Sequence, residues 1–375
     1  MSAPEIPNLK SIFANRRGAP SRGRGRGRAH AGASSERAEE VRDTAVRSTD
    51  QDAAGSRVSC VELGYLDDPY AQLFATQAST RRLPLLNRGT YVRTSAIDLL
   101  VDRFLQTTPD APKQIVSLGA GTDTRYFRLK DHYPNINLRY HEIDFATNTA
   151  AKLARVNTNK QLYTRAYPDS PPDVFKLDTR PTTHYSSSYN LHALDLRSLA
   201  TASDDAPPPT LPNLDPSIPT LILSEMCLTY LQATTVSSIL HTFLDTYIPA
   251  PTPISLVLYE PILPNDAFGR TMISNLASRN IHLPTLTAYP ELEDQRQRLK
   301  GYGFIHGFKA ADTRLIWREW VTGEEKERVA GLEMLDEMEE LDLLLKHYCV
   351  AWGWRDGGDG VFTRAWAAVL EQEGA

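Results

Sequence analysis

Gln114–Leu129 reads QIVSLGAGTDTRYFRL. An apolar run breaks into Gly119-Ala120-Gly121 and then resumes with helical spacing, the pattern of a strand, a tight turn and a helix. Glycine at 119 and 121 lets the backbone turn sharply and lets a ligand come close, with the N-terminus of the next helix facing that ligand. Turns of this kind hold nucleotides or adenosyl cofactors. A dinucleotide site adds a third glycine where helix and strand close around a pyrophosphate, and position 124 is a threonine instead. The turn therefore favours a cofactor without phosphates. GAG alone is equally compatible with a structural turn that binds nothing.

The next apolar strand, Tyr140-His141-Glu142-Ile143-Asp144-Phe145, carries Asp144 25 positions beyond Gly119. In a βαβ unit that acid falls beside the turn, where a carboxylate can accept both ribose hydroxyls of an adenosine. A third run, Leu191–Leu196, carries Asp195, and a fourth, Thr220–Ser224, delivers Glu225. Four successive strands thus end in Gly, Asp, Asp and Glu. Ligands of doubly wound sheets sit beyond the carboxyl ends of the strands, so these residues are expected to line one crevice. Taken singly, each acid could equally be a helix cap or a solvated loop end.

A chain of 375 residues, 41% hydrophobic, can bury a large core. Its most apolar windows, such as Leu221–Leu231, fall short of the roughly 20 residues of a membrane span. The opening MSAPEIPNLK has no apolar signal core. Cys60, Cys227 and Cys349 show no CxxC spacing, which fits a reducing, cytoplasmic setting with all three buried as small hydrophobes and no metal site. Residues 1–28 hold seven basic side chains against one acid, an excess of six; with −5 for the whole chain, the remainder carries −11. A body of that charge does not suit nucleic-acid binding. The Arg22–Arg28 stretch, RGRGRGR, reads as part of a disordered Arg/Gly-rich tail over 1–50, with weak RNA contact or simple solubilisation as its two roles.

Residues 51–375 are expected to form one domain. Leu63–Phe74 and Ser95–Gln106 read as helices before the first strand, and Ile254–Tyr259 as a fifth strand followed by a helix near Phe268–Leu276. Tyr167–Asn190 and Ala206–Pro219, rich in Pro and Ser, read as loop insertions. Val329, Leu332, Leu335, Met338, Leu341, Leu345 and Tyr348 form one stripe, predicting a long helix over Glu324–Trp352. After Gly357–Gly360 the spacing suggests a hairpin over Val361–Leu370 at the sheet edge.

Several blocks together carry a family likeness: LGYLDDPYAQLF at 63–74, NRGTYVR at 87–93, IVSLGAGTDTRYFRLK at 115–130, EIDF at 142–145, LDLR at 194–197, LSEMCLTYL at 223–231 and LDEMEELDLLLKHYCVAW at 335–352. In these the chain resembles the leucine carboxyl methyltransferases, which use S-adenosylmethionine to esterify the C-terminal leucine of the protein phosphatase 2A catalytic subunit. The resemblance implies an α/β fold with a Rossmann-like methyltransferase sheet, added N-terminal helices and a long C-terminal helix. It implies that Arg93 engages the methionyl carboxylate of the cofactor and that Gly119 lines its bed. Asp144 would bind the ribose, Asp195 with Leu196 would frame the adenine, and Glu225 would sit beside the methionyl chain. Tyr230 corresponds to a tyrosine near the incoming leucine carboxylate, and Arg57 to a basic residue that also reaches the cofactor. Arg93 and Tyr230 are thus the expected catalytic pair, with the phosphatase subunit as partner.

That chemistry needs no general base. A terminal carboxyl titrates near about 3.3–3.7, so at neutral pH it is already the nucleophile. The site must instead align it, and a guanidinium fork and a phenol suit that task. Two other functions remain open. One is an enzyme of the same fold acting on a carboxyl of a modified guanosine in transfer RNA, though such relatives carry a long C-terminal repeat domain without counterpart here. The other is a non-catalytic module that binds phosphatase or RNA.

Overall fold

The structure, a computed structural model, describes residues 31–76, 80–169, 181–201 and 206–373. The RGRGRGR stretch lies outside these residues. Strands β1 (Lys113–Leu118), β2 (Leu138–Asp144), β3 (His184–Tyr185), β4 (Tyr189–Ala193), β5 (Thr220–Glu225), β6 (Ile254–Pro261), β7 (Gly307–Asp312) and β8 (Tyr348–Arg355) form one sheet. Their spatial order is β3-β4-β2-β1-β5-β6-β8-β7. The five from β4 to β6 run parallel, while β3, β7 and β8 pair antiparallel. From β1 the chain winds outward through β2 to β4, then returns to place β5 on the other flank of β1. The gap between β1 and β5 is therefore the topological switch point of a doubly wound sheet, where such folds bind ligands.

Alternation along the central strands divides the core into two layers. Ile115 of β1 and Leu221 and Leu223 of β5 face one apolar cluster with Phe104, Trp352 and Trp366. Val116, Leu118 and Ile222 face the other, with Ile239, Phe243 and Leu299. No helix among the described residues is long and apolar enough to cross a membrane.

Several expectations are corrected. Helix α1 spans Ala31–Glu62, so the boundary drawn near residue 50 falls inside a helix. Leu63–Phe74 is not one helix: Gly64 turns at φ +80° and only α2, Ala71–Phe74, is helical. Helix α3, Pro84–Gln106, is longer than expected. The long C-terminal helix does not exist; Gly323–Ala330 and Met338–Lys346 are separate helices, and the chain then enters β8. The break is held by Glu333, whose carboxylate takes Asn87 Nδ2 at 2.8 Å and Arg81 Nη2 at 2.6 Å. Val361–Trp366 is a helix and not a hairpin, docked on α3 through Trp366 Nε1–H donating to Leu100 O at 3.0 Å.

Candidate active site

The turn after β1 brings its residues to the switch point. Gly119 and Gly121 both adopt positive φ, +62° and +45°. A Cβ at Gly119 would stand 2.5 Å from Cys227 Sγ, so close approach as well as φ demands glycine there. Position 124, where a dinucleotide site has its third glycine, holds a buried threonine whose Oγ1 donates to Asp68 Oδ2 at 2.5 Å. The helix α4 (Arg125–His132) follows at once.

Asp144 sits beside the turn as the spacing implied: Gly121 N donates to its Oδ2 at 2.7 Å, and Phe145 N and Asn148 Nδ2 donate to Oδ1 at 2.7 and 3.0 Å. Burial raises its carboxyl above the ordinary range, opposed by those two amides. Across the crevice, Glu225 at the end of β5 faces Arg93 of α3, Oε1 to Nε 2.9 Å, without the alignment of a hydrogen bond. The following residue, Met226, is held at φ +51°, a strained conformation for a long side chain at the mouth of the crevice. The Arg93 guanidinium lies 5.7 Å from the ring centre of Tyr259, which stacks on Tyr348 at 5.5 Å. Thr49 of α1 lies beside the Tyr230 hydroxyl, and burial pushes the phenol up to about 12, so it is a neutral donor at physiological pH.

Asp195 caps the short turn Leu196–Leu199 and is engaged by Arg197, with Nη2 2.6 Å from Oδ2. Leu196 is buried beside it. Arg57 pairs through Nε with Asp68, while its buried Nη2 has no acceptor. Gly119, Asp144, Glu225, Arg93 and Tyr230 therefore gather at the carboxyl ends of the central strands. Asp195 and Arg57 lie on the flanks, each already partnered. The three cysteines stay free; Cys60 and Cys349 are buried, whereas Cys227 is only half-buried. Burial pushes the Cys227 thiol far up, which removes it as a nucleophile.

Two groups escaped the sequence reading. The first is Arg125, 2% exposed, which ties Asp98 (3.0 Å), Asp123 (2.5 Å) and Glu225 (3.3 Å) together beneath the turn. Burial works to raise the Asp98 carboxyl, but Arg128 and Arg125 outweigh it and hold it well below the usual carboxylate range. A signal existed: a cation in the first turn of a helix opposes the helix dipole and so demands acidic partners. The second is α1, which crosses the crevice. Asp50 Oδ1 accepts from Thr122 N at 2.6 Å, Glu39 and Asp43 reach Arg197 at 2.7 and 2.6 Å, and Arg47 lies 5.5 Å from the Phe145 ring centre.

The amides of Gly121 and Thr122 are thus capped by the chain's own carboxylates, Asp144 and Asp50. A phosphate would be repelled by negative charge there, whereas a cation would be attracted and a neutral nucleoside not repelled. Fold and site together define a doubly wound α/β protein with an acidic, phosphate-excluding crevice at its switch point.

Comparison with known proteins agrees with that class and narrows it. The family described as leucine carboxyl methyltransferase matches residues 45–244. The leucine carboxyl methyltransferase 1 of Aspergillus fumigatus is 46% identical over all of this chain and all of its own. That of Emericella nidulans is 47% identical over 95% of this chain and 96% of its own, and that of Schizosaccharomyces pombe 36% over 81% and 93%. The chain belongs to the leucine carboxyl methyltransferase family. It is a methyltransferase.

Proposed function

We propose that this enzyme transfers a methyl group from S-adenosylmethionine to the α-carboxylate of the C-terminal leucine of the protein phosphatase 2A catalytic subunit, forming a methyl ester. The observation that carries this reading is the half-buried Arg93 beside Glu225, whose buried Nε lacks an aligned acceptor at the switch point of a leucine carboxyl methyltransferase.

The residues present fit the donor. Arg93 Nε, which has no aligned acceptor, and Arg57 Nη2, which has none, are buried donors suited to a methionyl carboxylate. Asp144, at the end of β2, would accept ribose hydroxyls, and Leu196 would offer an apolar wall for an adenine beside Asp195. Glu225 and Asp144 make the crevice acidic, which favours a cationic cofactor over a phosphorylated one. When bound, S-adenosylmethionine supplies an electrophilic methyl on its sulfonium.

The chain's own work is then alignment. The acceptor carboxylate is ionised at neutral pH and needs no base. Tyr230 keeps its proton and can donate one directional bond to that carboxylate, holding an oxygen on the methyl's path. Such positioning can be worth roughly 7–11 kcal/mol where the geometry is near attack. Tyr259 and Tyr348 exclude water from the side of Arg93, and neutralisation of two charges during transfer is favoured in a dry site.

Mass spectrometry of the phosphatase catalytic subunit after incubation with the enzyme and methyl-labelled S-adenosylmethionine tests this directly. One base-labile methyl on the C-terminal leucine is the expected outcome. An unmodified C-terminal peptide, with cofactor binding verified by calorimetry, would remove the assigned acceptor.

A further inference from the structure

A groove of about 450 Å³ lies outside the crevice, between α1 and the segment after the helix Ala267–Ala277. Arg37, Ala38, Val41 and Arg42 line it from α1, and Asn280 and His282 from the opposite wall. Positions 37 and 41, and 38 and 42, are one helical turn apart and share a face. Three acids of this part of α1 are engaged elsewhere, Glu39 and Asp43 on Arg197 and Glu40 on Arg47 at 2.7 Å. Among the described residues no carboxylate pairs with Arg37, Arg42 or His282. This basic groove stands on a chain that carries −11 beyond residue 28, so its sign runs against the rest of the body.

The groove and the reaction site are reached from the same helix. Thr49, beside the Tyr230 hydroxyl, is two helical turns beyond Arg42 on the same side of α1. At 1.5 Å per residue the separation along the axis is about 10 Å. Arg279, next to Asn280, is tied to Asp52 at 2.5 Å, which closes the far wall onto α1. An extended peptide covers about 3.3 Å per residue, so a chain whose terminal carboxylate reaches Tyr230 passes Arg42 three to four residues upstream.

We propose that this groove is the docking seat for an acidic segment of the acceptor protein, centred three to four residues before its C-terminal residue. The inference rests on the proposed methylation of a protein C-terminus and adds to it the determinant of acceptor choice. Arg37 and Arg42 supply attraction and orientation to the incoming chain and take no part in methyl transfer.

The test uses the full chain and two fluorescein-labelled hexapeptides ending in a free leucine carboxylate. One carries aspartate at the third and fourth positions before the leucine, the other asparagine. Anisotropy titration at low salt should show the acidic peptide binding about 3–10-fold more tightly, the size expected of two exposed ion pairs, with the preference fading as salt rises. The variant R37E/R42E should lose the preference while its affinity for S-adenosylmethionine is unchanged. The milder R37Q/R42Q, which removes charge without reversing it, should show an intermediate preference. Equal affinity of the two peptides for the wild type, or an undiminished preference in R37E/R42E, overturns the proposal. Methylation of the phosphatase subunit is read separately. If its leucine stays unmodified while the peptide preference holds, the assigned acceptor fails and the groove stands. If the leucine is methylated while the peptides bind alike, the groove alone fails.

Discussion

At Gly119 one added methyl group would face two obstacles at once. The backbone sits at φ +62°, costing an L-residue about 1–2 kcal/mol, and the new Cβ would press on Cys227 Sγ at 2.5 Å. Gly119→Ala should therefore lower stability by about 1–3 kcal/mol and weaken S-adenosylmethionine binding tenfold or more, as read by urea unfolding and calorimetry. Adding Cys227→Ala removes the Sγ contact but leaves the Cβ of position 227 at 2.9 Å and the φ unchanged, so it should restore only part of both losses. Wild-type affinity in the single variant would show that the turn does not shape the cofactor bed. The residues that could be read from sequence at this scale, Gly119, Asp144 and Glu225, owe their place to local spacing after a strand. Arg125 and Asp50 could not be read so easily, because their partners come from helices and strands far along the chain: Asp98 and Glu225 for one, Thr122 for the other.

Among the elements, β2 and β4 carry an ionisable pair that ties stability to pH. His141 Nδ1 and His192 Nε2 meet at 3.0 Å across the two strands, both buried. Burial, with His192 second, holds His141 well below 6.5, and burial lowers His192 to about 4. Burial lowers His184 on the neighbouring β3 as well. In the unfolded chain these rings titrate near about 6.5, so between roughly pH 6.5 and 4 the unfolded state binds more protons and stability falls as pH falls. Glu142, pushed up to about 7 by burial, works with the opposite sign over the same interval and offsets part of the loss. A net loss of about 1–3 kcal/mol from pH 7 to pH 5 is expected in urea unfolding, and His141→Gln should make the slope shallower. A midpoint that stays level or rises toward pH 5 would sink this account. The same strands show what element-scale patterns convey. Parallel core strands announce themselves as apolar runs, and β1, β2, β5 and β6 fall where expected. β8 does not, since its run Tyr348–Arg355 continues the apolar stripe of the preceding helix without a Pro or Gly between them. The earlier break in that stripe falls at Gly331, which caps Gly323–Ala330, and is fixed by the capture of Glu333 by Asn87 and Arg81 from across the fold.

For the molecule as a whole, α1 decides whether the crevice is closed. Composition places residues before 50 with the polar tail, because α1 is charged along its length and buries little apolar surface of its own. Its order comes from contacts with the switch point: Glu39 and Asp43 on Arg197, Arg47 over Phe145, Thr49 on Tyr230 and Asp50 on the Thr122 amide. An exposed ion pair contributes about 0.2–1 kcal/mol and a charged hydrogen bond to a backbone amide about 1.5–3. Together they suffice to hold a helix against a preformed surface, and too little of the core is involved for the domain to depend on them. Deleting residues 1–30 leaves every one of these contacts in place and should keep methyl transfer within about twofold of the full chain. Deleting residues 1–50 removes them all while sparing Arg57 and its bond to Asp68. That shorter chain should still fold cooperatively, yet lose at least about tenfold in kcat/KM, since roughly 1.4 kcal/mol of lost alignment or closure is already a factor of ten. Initial rates on the phosphatase subunit, with circular dichroism to verify folding, separate the two deletions. Full turnover without residues 1–50 would reduce α1 to an ornament on a crevice complete without it.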